Sequence, residues 1–325
     1  MNIFLRAKKQ PNLLIALKNG VTSLARHAYL ILFPFLFDIA LLFSPRLTIS
    51  QFTSKLFGQM VYPASISEEM KTTWEAIITG LTAFFKYFNL SSLARTYPFG
   101  IPSLFAVRAF TTTPNGDISA TDIASFGQIF TIAVIFILLG LFIATLFFQL
   151  SGMAVSELKA SSFFMRLTRN YLSVLALSIA SLFVAIFFLF PGLLIVSLLM
   201  TAIPFLGMIA YMILLVAAIS LLLPLVFTPH VIAMENQGFV KSALISIRTV
   251  RPTSVSASTF VLLIATISFL SNLLWQTPPD SSWMLIVGAL GHAIISTILT
   301  LASFHFFLDA VRCVSESIEP TQQPA

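Results

Sequence analysis

The chain has 325 residues, of which 58% are hydrophobic and 9% charged, against about 25% charged in soluble domains. Surface scales too steeply with mass for a water-soluble domain of this size to hide so much apolar side chain, so composition excludes one. The net charge of +6 does not call for nucleic acid, because 12 of the 18 Lys and Arg fall in segments assigned below to one side of a membrane, as the positive-inside bias requires.

The apolar runs are continuous and about twenty residues or longer, a helical signature rather than the alternation of an outer-membrane barrel. The fold class expected is therefore an all-α integral membrane protein with six transmembrane helices, amphipathic interfacial helices and a long outer loop. Basic residues (Arg6, Lys8, Lys9, Lys18, Arg26) precede the first apolar stretch. That stretch carries no small-residue cleavage site and reads as a retained span. Span one covers about 28–44 and span two about 126–150. Between them lies an outer loop, 45–124, in which Ser65 and Glu68 have capping-box spacing. Met70, Trp74, Ile77, Leu81, Phe84 and Phe88 then form one apolar stripe, the pattern of a helix lying on the outer leaflet or capping the bundle.

From Tyr171 to Thr228 there are 58 residues without a formal charge, enough for two spans of a core about 30 Å thick. Pro191-Gly192 and Pro204 place the turn between spans three (171–193) and four (204–228). Span five covers 254–275, and QTPPDSS turns the chain into span six, 283–307. Trp275 and Trp283 flank that turn as interfacial aromatics. The short loops 151–170 and 229–253 carry Lys159, Arg166, Arg169, Lys241, Arg248 and Arg251, whereas the turns 194–203 and 276–282 carry no Lys or Arg. Both termini and both basic loops are therefore expected on the cytoplasmic side of a bacterial inner membrane. The whole chain is read as a single membrane domain. ALKNGVTSLARHAYLIL, SSFFMRLTRNYLSVLAL and ALISIRTVRPTSVSAST each run from a basic amphipathic stretch into an odd-numbered span. They fit either three structural repeats or three ordinary positive-inside flanks.

Motifs for catalysis are absent: no GxxxxGK[ST], GxSxG or HExxH occurs, and the four histidines are scattered. One cysteine, Cys313, excludes an intramolecular disulfide and a Cys-based zinc site. No cofactor or metal is expected. Asp38 lies about 9 Å inside span one and His292 roughly 13 Å inside span six on helical rise, depths that allow an intramembrane pair. Asp38 bonded to a neighbouring hydroxyl or to interfacial water is the competing reading. Gly288 and Gly291 read as close-packing positions. In 240–251, Val240, Leu244, Ile247 and Val250 share one helical face, with Lys241 and Arg248 on another. The whole stretch PHVIAMENQGFVKSALISIRTVRP is expected to lie in the headgroup layer as a cytoplasmic helix. Glu235 and the basic residues of both loops are the candidate contacts to anionic lipid or to a protein partner.

Pro229, VIAM, Glu235, Ala243-Leu244 and Ser246 resemble a pattern in bacterial membrane proteins related to the membrane domain of glycerophosphodiester phosphodiesterases. The likeness centres on 220–275, with the serine spacing off by one and the long outer loop a departure. No phosphodiesterase domain follows before Ala325, so the resemblance implies a fold and a membrane location rather than that activity. The order of cytoplasmic helix, span, large outer loop and five further spans also resembles permease subunits of ATP-binding-cassette exporters, which implies an ATPase at the basic loops. The expectation is a non-enzymatic multi-pass protein contacting lipid or a partner. The alternatives are the exporter permease and, more distantly, an intramembrane enzyme using Asp38 and His292.

Overall fold

The computed structural model describes residues 10–58, 68–96, 99–156 and 162–318. Lys159 and the capping residue Ser65 lie outside them. Asn12 opens the first helix, α1 (Leu13–Arg26), by accepting from the amides of Leu14 and Ile15 at 3.0 and 3.1 Å, the usual task of an N-cap. The chain bends by 97° at His27 into a 3-10 turn and α2 (Leu32–Phe43). A short strand β1 (Arg46–Thr48) and helices α3 (Ser50–Gly58) and α4 (Glu68–Tyr87) follow, then a 3-10 turn Leu90–Arg95. The small strands β2 (Thr112–Thr113), β3 (Gly116–Asp117) and β4 (Ala120–Asp122) complete the connection. β1 pairs in parallel with β4, Leu47 opposite Thr121, so the two ends of the long loop are hydrogen-bonded together. The loop thus adds two two-stranded ribbons to the expected all-helical architecture.

The second half is helical throughout: α5 (Phe126–Ser156), α6 (Phe163–Val184), α7 (Phe190–Ala202), α8 (Pro204–Leu222), α9 (Thr228–Glu235), α10 (Phe239–Val250), α11 (Ser254–Trp275) and α12 (Met284–Ile318). Five helices are long and apolar enough to cross a membrane, six if α1 and the bent segment after it count as one. α6 and α7 form one 40-residue helix interrupted by a π turn at Ala185–Leu189. Pro191 causes it. A proline ring obstructs the carbonyl four residues back, and here the ladder widens until the Phe190 amide bonds Ala185 O, five residues back. Pro191-Gly192 is therefore inside a helix and not at the turn. The turn is at Ile203 (φ −144°, ψ 88°), driven out of the helical region by Pro204. α7 and α8 close on each other at Gly192, beside Leu214, and at Gly207, beside Met200. Almost no side chain of their apolar stretches is buried, a surface of the kind that marks contact with a membrane or another protein.

The core sits where α1, α5, α9 and α12 meet. Phe227, Phe304, Phe306 and Phe307 are fully buried there, and Phe260 stacks on Phe306 with centroids 4.1 Å apart. α1 crosses α12 at Gly20, where an added Cβ would lie 2.8 Å from Ile298 O. The 3-10 turn at 90–95 crosses α5 at Gly140, where an added Cβ would fall 1.9 Å from Ala94 O. Gly288 and Gly291 pack against the backbone and ring of Trp275, as close-packing positions do.

These approaches are testable by volume. Gly140→Leu should lower the unfolding midpoint in detergent, at a cost of about 1–3 kcal/mol for overpacking. Gly127, with only one atom as near as 4.0 Å, should accept alanine with no loss. Equal effects of the two substitutions would contradict this packing.

Candidate functional site

Two polar layers bound the apolar middle. At the basic end, the stretch around Glu235 is two helices, not one interfacial helix. All residues from Thr228 to Met234 are buried, and His230 donates to or accepts from Ser303 Oγ at 2.6 Å among the rings of Phe148, Phe227 and Phe304. α9 is core because the surrounding aromatic rings cover every side. Asn236 in the left-handed conformation ends it (φ 50°, ψ 40°). The Arg166 guanidinium then donates to the carbonyls of Ala233 and Met234 at 3.1 and 3.0 Å. Arg166 thus caps another helix, satisfying carbonyls that have no intrahelical donor.

α10 is amphipathic in an unexpected sense. Ser242, Ser246, Thr249 and Val250 face inward, and Ser246 Oγ donates to Pro224 O at 2.6 Å. That carbonyl lies at the end of α8, where the helix breaks before Pro229. Val240 and Leu244, expected to share one face with Val250, are 65% and 47% exposed while Val250 is buried, and they stand beside exposed Lys241, Arg248 and Arg251. Small hydroxyl side chains let α10 approach the bundle closely and satisfy its carbonyls, leaving the larger apolar residues outside. Glu235 and Arg169 are also exposed. The basic stretch before span three is the beginning of α6 itself, with Phe164 and Met165 outward beside Arg169. α1 repeats the pattern, with Leu14, Ile15, Lys18, Val21 and Arg26 outward and Ala16, Gly20, Ser23 and Leu24 against the bundle. Cys313 is buried in α12, so it is a poor target for topology labelling.

At the opposite end, Asp38 and His292 do not pair. Asp38 is fully buried and accepts from Ser103 Oγ at 2.5 Å, Leu104 N at 3.0 Å and Phe105 N at 3.1 Å. His292 Nδ1 bonds Asn272 Oδ1 on α11 at 2.9 Å. The partner of Asp38 comes from the long loop between α2 and α5, 65 residues away in sequence, and no spacing rule exposes it. The segment so held continues to Arg108, whose guanidinium contacts Asp280 at 2.7 Å and donates to the carbonyls of Gln276 and Pro278. The Thr111 amide donates to the same carboxylate at 2.9 Å. Burial pushes the Asp280 carboxyl upward, but the bonds from Thr111 and Arg108 outweigh it and hold the group below the usual carboxylate range. Arg108 and Asp280 were not singled out from sequence, although each is a lone charge in an otherwise uncharged outer stretch.

A cavity of 570 Å³ lies beside this clamp, bounded by α4, the 3-10 turn at 90–95, the 105–110 segment, α5 and α6. No group of three or more His, Cys, Asp or Glu suited to a metal ion occurs among the described residues. No family model, curated protein or solved structure matches the chain.

Asp38→Ala should strand a hydroxyl and two amides in a buried site, each at about 1–3 kcal/mol. Asp38→Asn keeps one acceptor oxygen. Unfolding midpoints should therefore fall in the order wild type, Asn, Ala, and equal midpoints would contradict the anchor. The Asp280 clamp has a pH signature. Its folded pKa is depressed, so its contribution is complete above the unfolded value of about 3.9 and lost as pH falls through the folded value. Loop 101–113 should resist protease at neutral pH and lose that protection under acid, and Asp280→Asn should remove the pH dependence.

Proposed function

We propose that this is a non-enzymatic six-span protein of a bacterial cytoplasmic membrane, with both termini and the basic end on the cytoplasmic side and that end seated in the anionic headgroup layer. One observation carries the reading: α10 turns its hydroxyl-bearing face inward and leaves Val240, Leu244, Lys241 and Arg248 outward. α1 and the start of α6 present the same mixture. Apolar side chains exposed beside basic ones suit the boundary between acyl chains and headgroups, and each basic residue there attracts anionic lipid by about 1 kcal/mol. The turns at the other end, which carry no Lys or Arg, agree with this orientation. His292, buried and bonded to Asn272, and Asp38, bonded to the outer loop, have structural employment that makes an intramembrane enzyme the weaker reading. The resemblance of 220–275 to phosphodiesterase membrane domains supports the same location.

The test is lipid retention. Purified in mild detergent, the protein should keep anionic phospholipid, and the combined Arg169→Gln, Lys241→Gln, Arg248→Gln variant should lose most of that retained at this end without a change in fold. A stoichiometric ATPase in the same preparation would overturn the reading in favour of an exporter permease.

A further inference from the structure

A second cavity, of 400 Å³, lies at the same end as Asp38, between α2, α5 and the 3-10 turn at 90–95. Its size falls within the range of ligand pockets, about 300–1,000 Å³. The wall is almost entirely hydrocarbon: Phe37, Ala40 and Leu41 come from α2, and Phe136, Leu139 and Ile143 from α5. Ala40 and Leu139 are exposed, so the cavity opens on the outer surface of two apolar helices. No charged side chain lines it among the described residues.

Two hydroxyls interrupt this wall. Ser44 follows the last residue of α2, and Ser91 lies in the 3-10 turn. Both oxygens are buried, and neither has a hydrogen-bond partner among the described residues. Their backbones, by contrast, are held. The Ser44 amide donates to Ala40 O at 2.9 Å, and the Ser91 amide to Asn89 Oδ1 at 3.2 Å. Nearby hydroxyls are also committed: Ser92 donates to Asn89 O and Thr145 to Leu141 O, both at 2.7 Å. A buried hydroxyl left without an acceptor is costly and calls for an explanation. Two of them in the wall of one cavity have a common explanation in an acceptor that the cavity takes in.

The chemistry of the wall selects that acceptor. A phosphate or carboxylate would need cationic donors, which this cavity does not offer, and a hydrophilic solute would not enter between hydrocarbon side chains. An uncharged acceptor carried on an apolar chain fits both conditions. We propose that the crevice binds one ester-linked acyl chain of a membrane lipid. The ester carbonyl accepts from Ser44 and Ser91, its two lone pairs serving two donors. The chain runs back from Ser44 past Leu41 and Phe37, which lie on successive turns of α2, with Phe136 and Ile143 on its other side. Ser44, at the end of the helix, is where a span meets the ester and headgroup layer. The site needs the protein to sit in a bilayer, but it selects linkage rather than charge and does not depend on the lipid contacts of the basic end.

The test uses the full chain in phosphatidylcholine nanodiscs with a trace of photoreactive phosphatidylcholine. Two probes carry the same headgroup and the same diazirine on the chain; one has ester and the other ether linkages. Peptide mapping should find the ester probe on residues 136–143 of α5 at about tenfold the level of the ether probe, as two net hydrogen bonds allow. Combined Ser44→Ala and Ser91→Ala should bring the ester probe down to the ether level. The same variant should unfold in lipid-free detergent at no lower a midpoint than wild type, because neither hydroxyl bonds the protein. Ala40→Trp, at an exposed position, should lower labelling by the ester probe by filling the groove. The ester preference should persist in the Arg169→Gln, Lys241→Gln, Arg248→Gln variant, whatever happens to anionic lipid at the basic end. Equal labelling by the two probes in wild type, an ester preference that survives loss of both hydroxyls, or a lowered midpoint of the serine variant in detergent would overturn the proposal.

Discussion

The buried carboxylate of Asp38 is the constraint on which the loop end depends. A carboxylate inside a membrane helix must be surrounded by donors, because neither water nor lipid can supply them. The chain delivers three from one short segment, Ser103, Leu104 and Phe105. That arrangement fixes where the long loop between α2 and α5 enters the bundle. Arg108 then reaches Asp280 and the carbonyls of the turn between α11 and α12, and Gln276 returns a bond to Leu104 O at 3.3 Å. One acid in the first span thereby joins the outer loop to the last two helices, and the cavity beside Arg46, Arg95 and Arg108 is a by-product of that closure.

Both ends of the fold solve the same problem with different residues. At the basic end, a buried helix must terminate beside a membrane, and Arg166 supplies the donors its last carbonyls lack. Ser246 does the same for Pro224 O. Between the ends, α12 collects polar contacts along its length: His292 with Asn272, Ser303 with His230, His305 with Ser23 and Asp309 with the Asn12 amide. Such bonds position helices where apolar packing against lipid gives no preference. α7 and α8 lack them almost entirely, and accordingly they pack on each other and stand apart from the core.

The helix starts at Phe126, Pro204 and Ser254, the charge-free hairpin and the helix α4 were legible in the sequence because each depends on neighbours within a few turns. The close packing at Gly288 and Gly291 was legible for the same reason. What could not be read was any contact made at long range. Asp38 was recognised as out of place and a hydroxyl partner was among the readings, but the hydroxyl belongs to Ser103, 65 residues away in the long loop, and depth alone also allowed His292. The capping role of Arg166, a candidate contact to lipid or a partner, was hidden because its carbonyl partners lie 67 residues further on. The apolar face expected on α10 is split: Val240 and Leu244 stand outward beside Lys241, whereas Val250 is buried with Ser246 and Thr249. Beside a membrane the larger apolar side chains turn outward, and serines and threonine make the close contact. Pro191 was read as a break because a proline usually ends a helix; here a π turn absorbs it.

The claim that Asp38 holds the loop is most directly tested by amide hydrogen exchange at Leu104 and Phe105 in lipid nanodiscs. If the carboxylate accepts both amides, they exchange far more slowly than Val107 and Ala109 in the same segment. Exchange at Leu104 and Phe105 as fast as at those neighbours would contradict it.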